Sequence, residues 1–469
     1  MLDPLKFDDR NYEVETLTLE GRSITYRAFK DIIYVENPVA PEYQKLNLFV
    51  PEAYYHGESL NGFCRDTAPI FLPNTVGAYM SGRADVPGYN FRPYGKGKLN
   101  NSFCALERGF VVAAAAARGS ELTDAEGHNV GVAPAVITDL KAAVRYLRHN
   151  RGRIPGNVDR IISDGTSAGG AMSALLGVSG NAPEYEPYLE AAGAAKERDD
   201  IYAAVCYCPI MNLEHADMAY EWLLDGLDEY DSLRFYRVED HVEAEPYSGT
   251  LTQAEKEFHF ELKEKFIHYL NSLELKTTEG VLLQLDEEGR GSFRDVLNHY
   301  MKRSAQKALD QGEDFSQAAF LKADGETVTE FDLDAYRKVC GRMKKVPAFD
   351  QWDGANAENR LFGTEKVREN HFTREGLEHD TYGCGMADER LIYMMNPMNY
   401  CSGEASDVAP YWRIRHGAKD CHTSWAIPLI FALSLKKEKV DFEFAWGKPH
   451  SGDYDMEEMM DWLEEITRK

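Results

Sequence analysis

Apolar positions along this chain follow two rhythms. Between residues 14 and 50 the runs EVETLTLEG, SITYRAF, DIIYVE and KLNLFV alternate apolar with polar residues and are rich in β-branched and aromatic types. That is the pattern of half-buried antiparallel strands. From residue 68 the alternation stops: APIFLPN (68–74) and GFVVAAAAA (109–117) are continuously apolar, as strands covered on both faces are. APAVITDLKAAVRYLRHN (133–150) then repeats Val136, Leu140, Ala143, Val144 and Leu147 at helical spacing, with Pro134 near its start and Gly152 past its end. VDRIISDG (158–165) predicts a further buried strand, SAGGAMSALLGVSG a helix, and IYAAVCYCPI (201–210) the next strand. Strand and helix alternate in this way in a parallel α/β sheet.

The rhythm breaks between about 211 and 397. That stretch is charged and largely helical, with TQAEKEFHFELKEKFIHYLNSLEL (252–275) its clearest helix, and it offers no evident buried parallel strand. The α/β pattern resumes with PYWRIRHG (410–417) as strand, SWAIPLIFALSLKKE (424–438) as helix and KVDFEFAW (439–446) as strand. DYDMEEMMDWLEEITRK predicts a final helix. The chain therefore divides into an α/β domain built from residues 1–210 and 398–469, and an inserted, mainly helical domain at 211–397. An insertion there lies at the carboxyl ends of the strands, where open sheets bind ligands, and is placed as a lid.

Between the strand at 158–165 and the helix after it, Gly165-Thr166-Ser167-Ala168-Gly169 fits G-x-S-x-G. A sharp strand-to-helix turn of this kind exposes the serine in a strained conformation and needs small residues two positions away on either side. The amide of Ala168, at the start of the helix, is suited to hold an oxyanion. A serine nucleophile needs an acid and a histidine later in the chain. Asp420 directly follows the strand at 410–417, and His450 follows the strand at 439–446, 30 residues on with one helix and one strand between. His416 and His422 compete for the base, but His416 precedes the acid and His422 lies before the intervening helix. Asp453 and Asp455 read as caps of the last helix. A second oxyanion amide is expected after the strand at 68–72, at Gly77 or Ala78 in FLPNTVGAYMSG, where a simple tight turn is the competing reading.

Composition narrows the function classes. A chain of 469 residues exceeds one simple core, and 43% hydrophobic and 12% aromatic residues suffice for large cores. The formal net charge of −26 argues against nucleic acid or an anionic membrane as partner. No basic and apolar leader opens the chain and no apolar run reaches 18 residues, so a cytoplasmic location is expected. The eight cysteines are scattered; Cys206-x-Cys208 lacks a second ligand pair, and reduced core thiols are the plainer reading. HDTYGCGMADE fits no calcium loop. No metal or cofactor is expected.

PNTVGAY, GTSAGGA, CPIMNLEHADMAYEW, GSFRDV, RMKKVPAFDQ, WRIRHGAKD and PHSGDYD together resemble the bacterial tannases, tannin acyl hydrolases, over nearly the whole chain. The resemblance implies an α/β-hydrolase with a large lid, hydrolysis of galloyl esters, and Ser167, Asp420 and His450 as the triad. It also implies that Lys344 and Glu358 meet the phenolic hydroxyls of the substrate and that Ile210 packs on its ring. The third hydroxyl-binding position carries Asp in the family and His422 here. That departure keeps a feruloyl, hydroxycinnamoyl or other aromatic carboxylesterase as the alternative on the same triad. A peptidase and a non-catalytic binding module are more distant readings. The expected partner is a small phenolic ester.

Overall fold

A nine-stranded mixed sheet runs through the computed structural model, which describes residues 3–90, 96–238, 241–435 and 439–468; side chains at 233–244 are outside the description. Its strands are β1 Glu13–Leu19, β2 Arg22–Ile33, β3 Lys45–Pro51, β4 Pro69–Pro73, β5 Val111–Ala115, β6 Asn157–Thr166, β7 Ala203–Tyr207, β8 Tyr411–Gly417 and β9 Val440–Ala445. They are ordered β1-β2-β3-β5-β4-β6-β7-β8-β9. β1, β2, β3 and β5 pair antiparallel, and every other neighbour pair is parallel. The two rhythms of the sequence are thus the two halves of one sheet. Polar positions alternate in β1 and β2 at the edge, while β4, β5 and β7 are buried at every residue.

SITYRAF and DIIYVE, expected as separate strands, are one strand. β2 continues through a register shift between Phe29 and Ile32, with Asp31 at φ 58°. A bulge of this kind bends a long edge strand without ending it. β8 carries charge into the core. Arg413 and Arg415, two residues apart and so on one face, are almost fully buried. They pair with Asp441, Asp455 and Glu458, which ties the last helix (Met456–Thr467) to the strand preceding Asp420. Asp455 sits at the N-cap of that helix, as expected, but its side chain makes no capping hydrogen bond; its carboxylate also accepts a hydrogen bond from Tyr207.

Helices α1 Asn101–Glu107, α2 Ala135–His149 and α3 Ala168–Val178 follow the early strands, and α3 packs on β6 and β7. The expected helix at 424–438 is found as Ala426–Ser434, positions 436–438 of that expectation lying outside the described residues, as does position 469 of the last helix. The long segment between β7 and β8 holds α4 Leu213–Leu223, α5 Gln253–Ser272 and α6 Ser292–Asp310. α5 starts on a capping box: Thr252 Oγ1 accepts the Glu255 amide at 3.3 Å and the Glu255 carboxylate accepts the Thr252 amide at 2.7 Å. This segment is not helical throughout. It carries antiparallel hairpins at Glu229–Val238/His241–Thr250 and Leu321–Asp324/Thr327–Phe331, and a short parallel pair at Asn370–His371/Gly385–Met386. No helix among the described residues is long and apolar enough to cross a membrane.

Candidate active site

β6 ends in the turn that presents Ser167, whose backbone sits at φ 63°, ψ −124°. Such a conformation costs about 1–3 kcal/mol in a non-glycine residue and persists only where its surroundings hold it. Here the Ser167 amide donates to Tyr207 O at 2.9 Å, and its carbonyl accepts the amides of Ala171 at 2.9 Å and Ile210 at 3.2 Å. The flanking glycines are required by contact. A Cβ on Gly165 would lie 2.3 Å from Gly169 O and 2.5 Å from Asn74 Nδ2, and one on Gly169 would lie 2.6 Å from Asn74 Oδ1 and 2.8 Å from Val76 O.

The Ser167 hydroxyl is 2.9 Å from His450 Nε2, and His450 Nδ1 is 2.8 Å from Asp420 Oδ2. Asp420 Oδ1 accepts the amide of His422 at 2.8 Å. Asp420 is 1% exposed. Against the desolvation this imposes, the adjacent imidazoles of His450 and His416 hold its carboxyl far below the usual range, so it stays ionised. Of the three candidate bases, His450 is the one bonded to Ser167. His416 Nε2 lies 3.5 Å from Asp420 Oδ2, fully buried, and burial pushes its pKa down to about 4. His422 stacks on His450 with ring centroids 4.2 Å apart and planes 23° apart, and burial pushes its pKa to about 3. Both are neutral imidazoles near pH 7.

The other expected residues are linked to this array pair by pair. Ile210, bonded through its amide to Ser167, has its carbonyl held by the Tyr79 hydroxyl at 2.6 Å. Tyr79 lies in the field of Glu358, Glu358 in that of Lys344, and Lys344 in that of His422. The path closes from His422 through His450 back to Ser167. Lys344 Nζ sits 3.7 Å over the Phe349 ring. Burial lowers the Lys344 pKa, opposed by Glu358, Asp217 and Asp420, and raises that of Glu358, opposed by Lys344. Each is a charged group short of solvent, which a polar ligand between them would relieve.

Ala168 occupies the first helical position of α3, where an amide has no partner within its helix. The loop carrying Gly77 and Ala78 is pinned beside it by the Asn74 side chain, whose Nδ2 donates to the carbonyls of Asp164 (3.0 Å) and Gly169 (3.1 Å). Ala78 and Tyr79 have left-handed backbones, and Gly77 O accepts the Met80 amide at 2.9 Å. An open cleft of about 780 Å³ leads to His422 and His450 past Arg342 and Met343.

Sequence reasoning missed the groups beneath this pocket. Asp217, Tyr220 and Glu221 share one face of α4 at three- and four-residue spacing, a signal present in NLEHADMAYEW. Asp217 accepts the amides of Phe349 (2.8 Å) and Asp350 (3.0 Å), and burial raises its pKa to about 7. The Tyr220 hydroxyl accepts the amides of Met343 (3.2 Å) and Lys344 (3.1 Å) and donates to Cys421 O (2.9 Å), which joins the inserted segment to the Asp420 loop. Among the described residues, two groups of possible metal donors have their ligand atoms within 4.8 Å of one another: Cys208 with Asp420 and His450, and His371 with Asp380 and Cys384. The first is engaged in the array above. The second lies in and beside HDTYGCGMADE and offers imidazole, thiol and one carboxylate, not the oxygen-rich set that calcium takes.

The family model described as BD-FAE matches residues 96–226. Esterase LipQ of Mycobacterium tuberculosis is 32% identical over 97 residues, 21% of this chain and 22% of that protein's length. Similarity to solved structures extends much further. The tannase of Lactobacillus plantarum is 46% identical, with 99% of this chain and 100% of that one covered at a TM-score of 0.94. The tannase of Fusobacterium nucleatum is 44% identical, with 99% of each chain covered at 0.93. Tannin acyl hydrolase has also been solved with ethyl gallate and with 3,4-dihydroxybenzoate, each at 46% identity, 99% of each chain and a TM-score of 0.92. Likeness at this level of identity, running through the inserted segment as well as the sheet, makes the chain a member of the bacterial tannases, carboxylic ester hydrolases of the α/β-hydrolase fold.

Proposed function

We propose that this protein hydrolyses galloyl and related phenolic acid esters through an acyl-enzyme on Ser167. The observation that carries the reading is the unbroken hydrogen-bonded array Ser167–His450–Asp420, with buried Lys344 in the field of Asp420 and buried Glu358 in that of Lys344. His450 takes the Ser167 proton as the hydroxyl attacks the ester carbonyl, and Asp420 fixes the imidazole tautomer and stabilises the imidazolium. The amides of Ala168 and of Gly77 or Ala78 receive the oxyanion. His450 then protonates the departing alcohol, and water activated by the same imidazole releases the aromatic acid.

Lys344 and Glu358 meet the phenolic hydroxyls, and Ile210 packs on the ring. A neutral His422 offers one donor and one acceptor to a third hydroxyl, where a carboxylate would offer acceptors alone. A site that satisfies buried hydroxyls discriminates strongly against esters lacking them. The inserted segment at 211–397 supplies Lys344 and Glu358 and acts as the lid that excludes water during acyl transfer.

Steady-state hydrolysis of methyl gallate, methyl 3,4-dihydroxybenzoate and methyl ferulate, with Ser167→Ala as control, tests this. Preference for the hydroxylated benzoates, abolished in the variant, is the expected result. Faster turnover of ferulate would transfer the assignment to a hydroxycinnamoyl esterase, the reading His422 favours if its imidazole accepts poorly. Restoring a carboxylate with His422→Asp is expected to raise gallate discrimination over dihydroxybenzoate.

A further inference from the structure

Two cysteines meet across the boundary between the inserted segment and the catalytic loop. Cys340 ends the inserted helix Leu333–Cys340, and Cys421 stands between Asp420 and His422. Both thiols are free and only partly buried, and both border the cleft that reaches His422 and His450. Cys421 Sγ lies 3.4 Å from Cys340 O and Cys340 Sγ 3.8 Å from Ala418 O. Each sulfur thus packs against the other residue's segment, and the electrostatics of the two thiols are linked.

The two sulfurs are chemically unequal. Cys421, the Tyr336 hydroxyl and the Lys419 cation favour the Cys340 thiolate, against desolvation. Cys340 and burial favour the protonated form of Cys421. One sulfur is thus suited to attack an oxidant and the other to resolve the product.

We propose that Cys340 and Cys421 form a reversible disulfide site, at which a peroxide or a low-molecular-weight disulfide oxidises the pair and thereby switches ester hydrolysis off. With hydrogen peroxide, the Cys340 thiolate attacks one oxygen, breaking the O–O bond and giving a sulfenic acid and hydroxide. The Cys421 sulfur then attacks the sulfenic sulfur and displaces its oxygen. Overall two thiols and one peroxide give one disulfide and two waters. A disulfide brings its sulfurs to about 2.05 Å, so the 418–422 loop must move toward Cys340. Asp420 and His422 flank Cys421 and move with it, and the hydrogen bond from Tyr220 to Cys421 O is disturbed as well.

The experiment treats the full chain with hydrogen peroxide and, separately, with oxidised glutathione. Intact mass, non-reducing peptide mapping and methyl gallate turnover are followed in wild type and Cys340→Ser. The expected result is a loss of two hydrogens, a bridge joining the peptides of Cys340 and Cys421, and turnover reduced roughly tenfold or more, since displacement of a catalytic group by about 1 Å costs up to ~100-fold. Dithiothreitol restores the rate, and Cys340→Ser, active before treatment, keeps its rate after it. Absence of the 340–421 bridge, or a bridge with unchanged turnover, overturns the proposal. The rate readout rests on the esterase reading, whereas the mapping does not. A reduced enzyme inactive on every phenolic ester would therefore sink that reading alone, with the bridge still decided by mass.

Discussion

Arg342→Met removes half of a fully enclosed ion pair in the inserted segment. Arg342 and Glu221 share hydrogen bonds of 3.0 and 2.6 Å with neither side chain exposed, and Arg342 Nε donates to Leu227 O at 2.8 Å. Deleting one partner of a buried pair costs about 3–5 kcal/mol, because the other charge is left without its counter-ion. Glu221 retains His259, whose Nδ1 is 2.6 Å away and whose pKa is raised, despite burial, by hydrogen bonds to Asp225 and Glu221. That imidazolium places the loss at the lower end, about 3 kcal/mol.

The consequence reaches the pocket because Arg342 leads directly into Met343 and Lys344, both held through their amides by Tyr220. A loosened segment weakens the Lys344 contact in ground state and transition state alike, so KM rises while kcat changes little. Urea unfolding followed by tryptophan fluorescence, with Trp222 beside Glu221 on α4, reads the stability loss in Arg342→Met, Glu221→Gln and the double variant. The single losses should not add, and the coupling between contacting residues should fall at about 0.5–3 kcal/mol. Methyl gallate kinetics read KM. An Arg342→Met protein that unfolds at the wild-type urea concentration would refute the energetic argument. One that is destabilised with unchanged KM would refute the link to Lys344.

Three further outcomes are expected. Asp420→Asn should leave KM near its wild-type value and lower kcat by roughly 10⁴, as loss of the orienting acid does in a triad; a loss under tenfold in ester hydrolysis would exclude Asp420 from that role. Gly169→Ala forces a Cβ to 2.6 Å from Asn74 Oδ1 and 2.8 Å from Val76 O, costing about 1–3 kcal/mol by overpacking and displacing Ser167. kcat should fall far more than thermal stability, and equal activity with the wild type would mean that the elbow tolerates the shift. His215, His416 and His422 have pKa values held by burial at about 4, 4 and 3, below the ~6.5 of an unfolded chain. They favour the fold above about pH 6.5, and that contribution is lost as pH falls toward 4. Each withdraws about 2 kcal/mol by pH 5. The urea midpoint should drop between pH 7 and 5, less steeply in His422→Asn, and a flat wild-type profile would contradict the neutral assignment.

Most of the sheet was legible because burial on one face or two imposes different periods, and every strand lies where those periods place one, although the bulged β2 read as two. The positions of Ser167, Asp420 and His450 were legible for a related reason: each lies in the turn or loop that follows a strand, and strand ends are what periodicity locates. The hairpin Glu229–Val238/His241–Thr250 was not, since its residues from Glu245 on are mostly exposed and carry Pro246, a residue tolerated only at sheet edges. The burial of Arg413 and Arg415 was not legible, because their acidic partners lie in β9 and the last helix, 26 to 45 positions away. Lys344 and Glu358 sit in and beside irregular backbone with no period at all. Only the family resemblance singled them out, and only tertiary structure sets them in each other's field.

Ser167 lies before the inserted segment, whereas Asp420 and His450 lie after it, and β7 must wait for β8 across about 200 residues. On a ribosome adding about 5–20 residues per second, that interval is ~10–40 s. Throughout it the apolar strand Ala203–Tyr207 would present an unpaired edge of the kind that recruits other strands and promotes aggregation. Expression yield should therefore depend on how well the emerging inserted segment, or a chaperone, covers that edge. Destabilising changes in the segment, remote from the serine, would then lower the amount of soluble enzyme before they lowered the activity of each molecule.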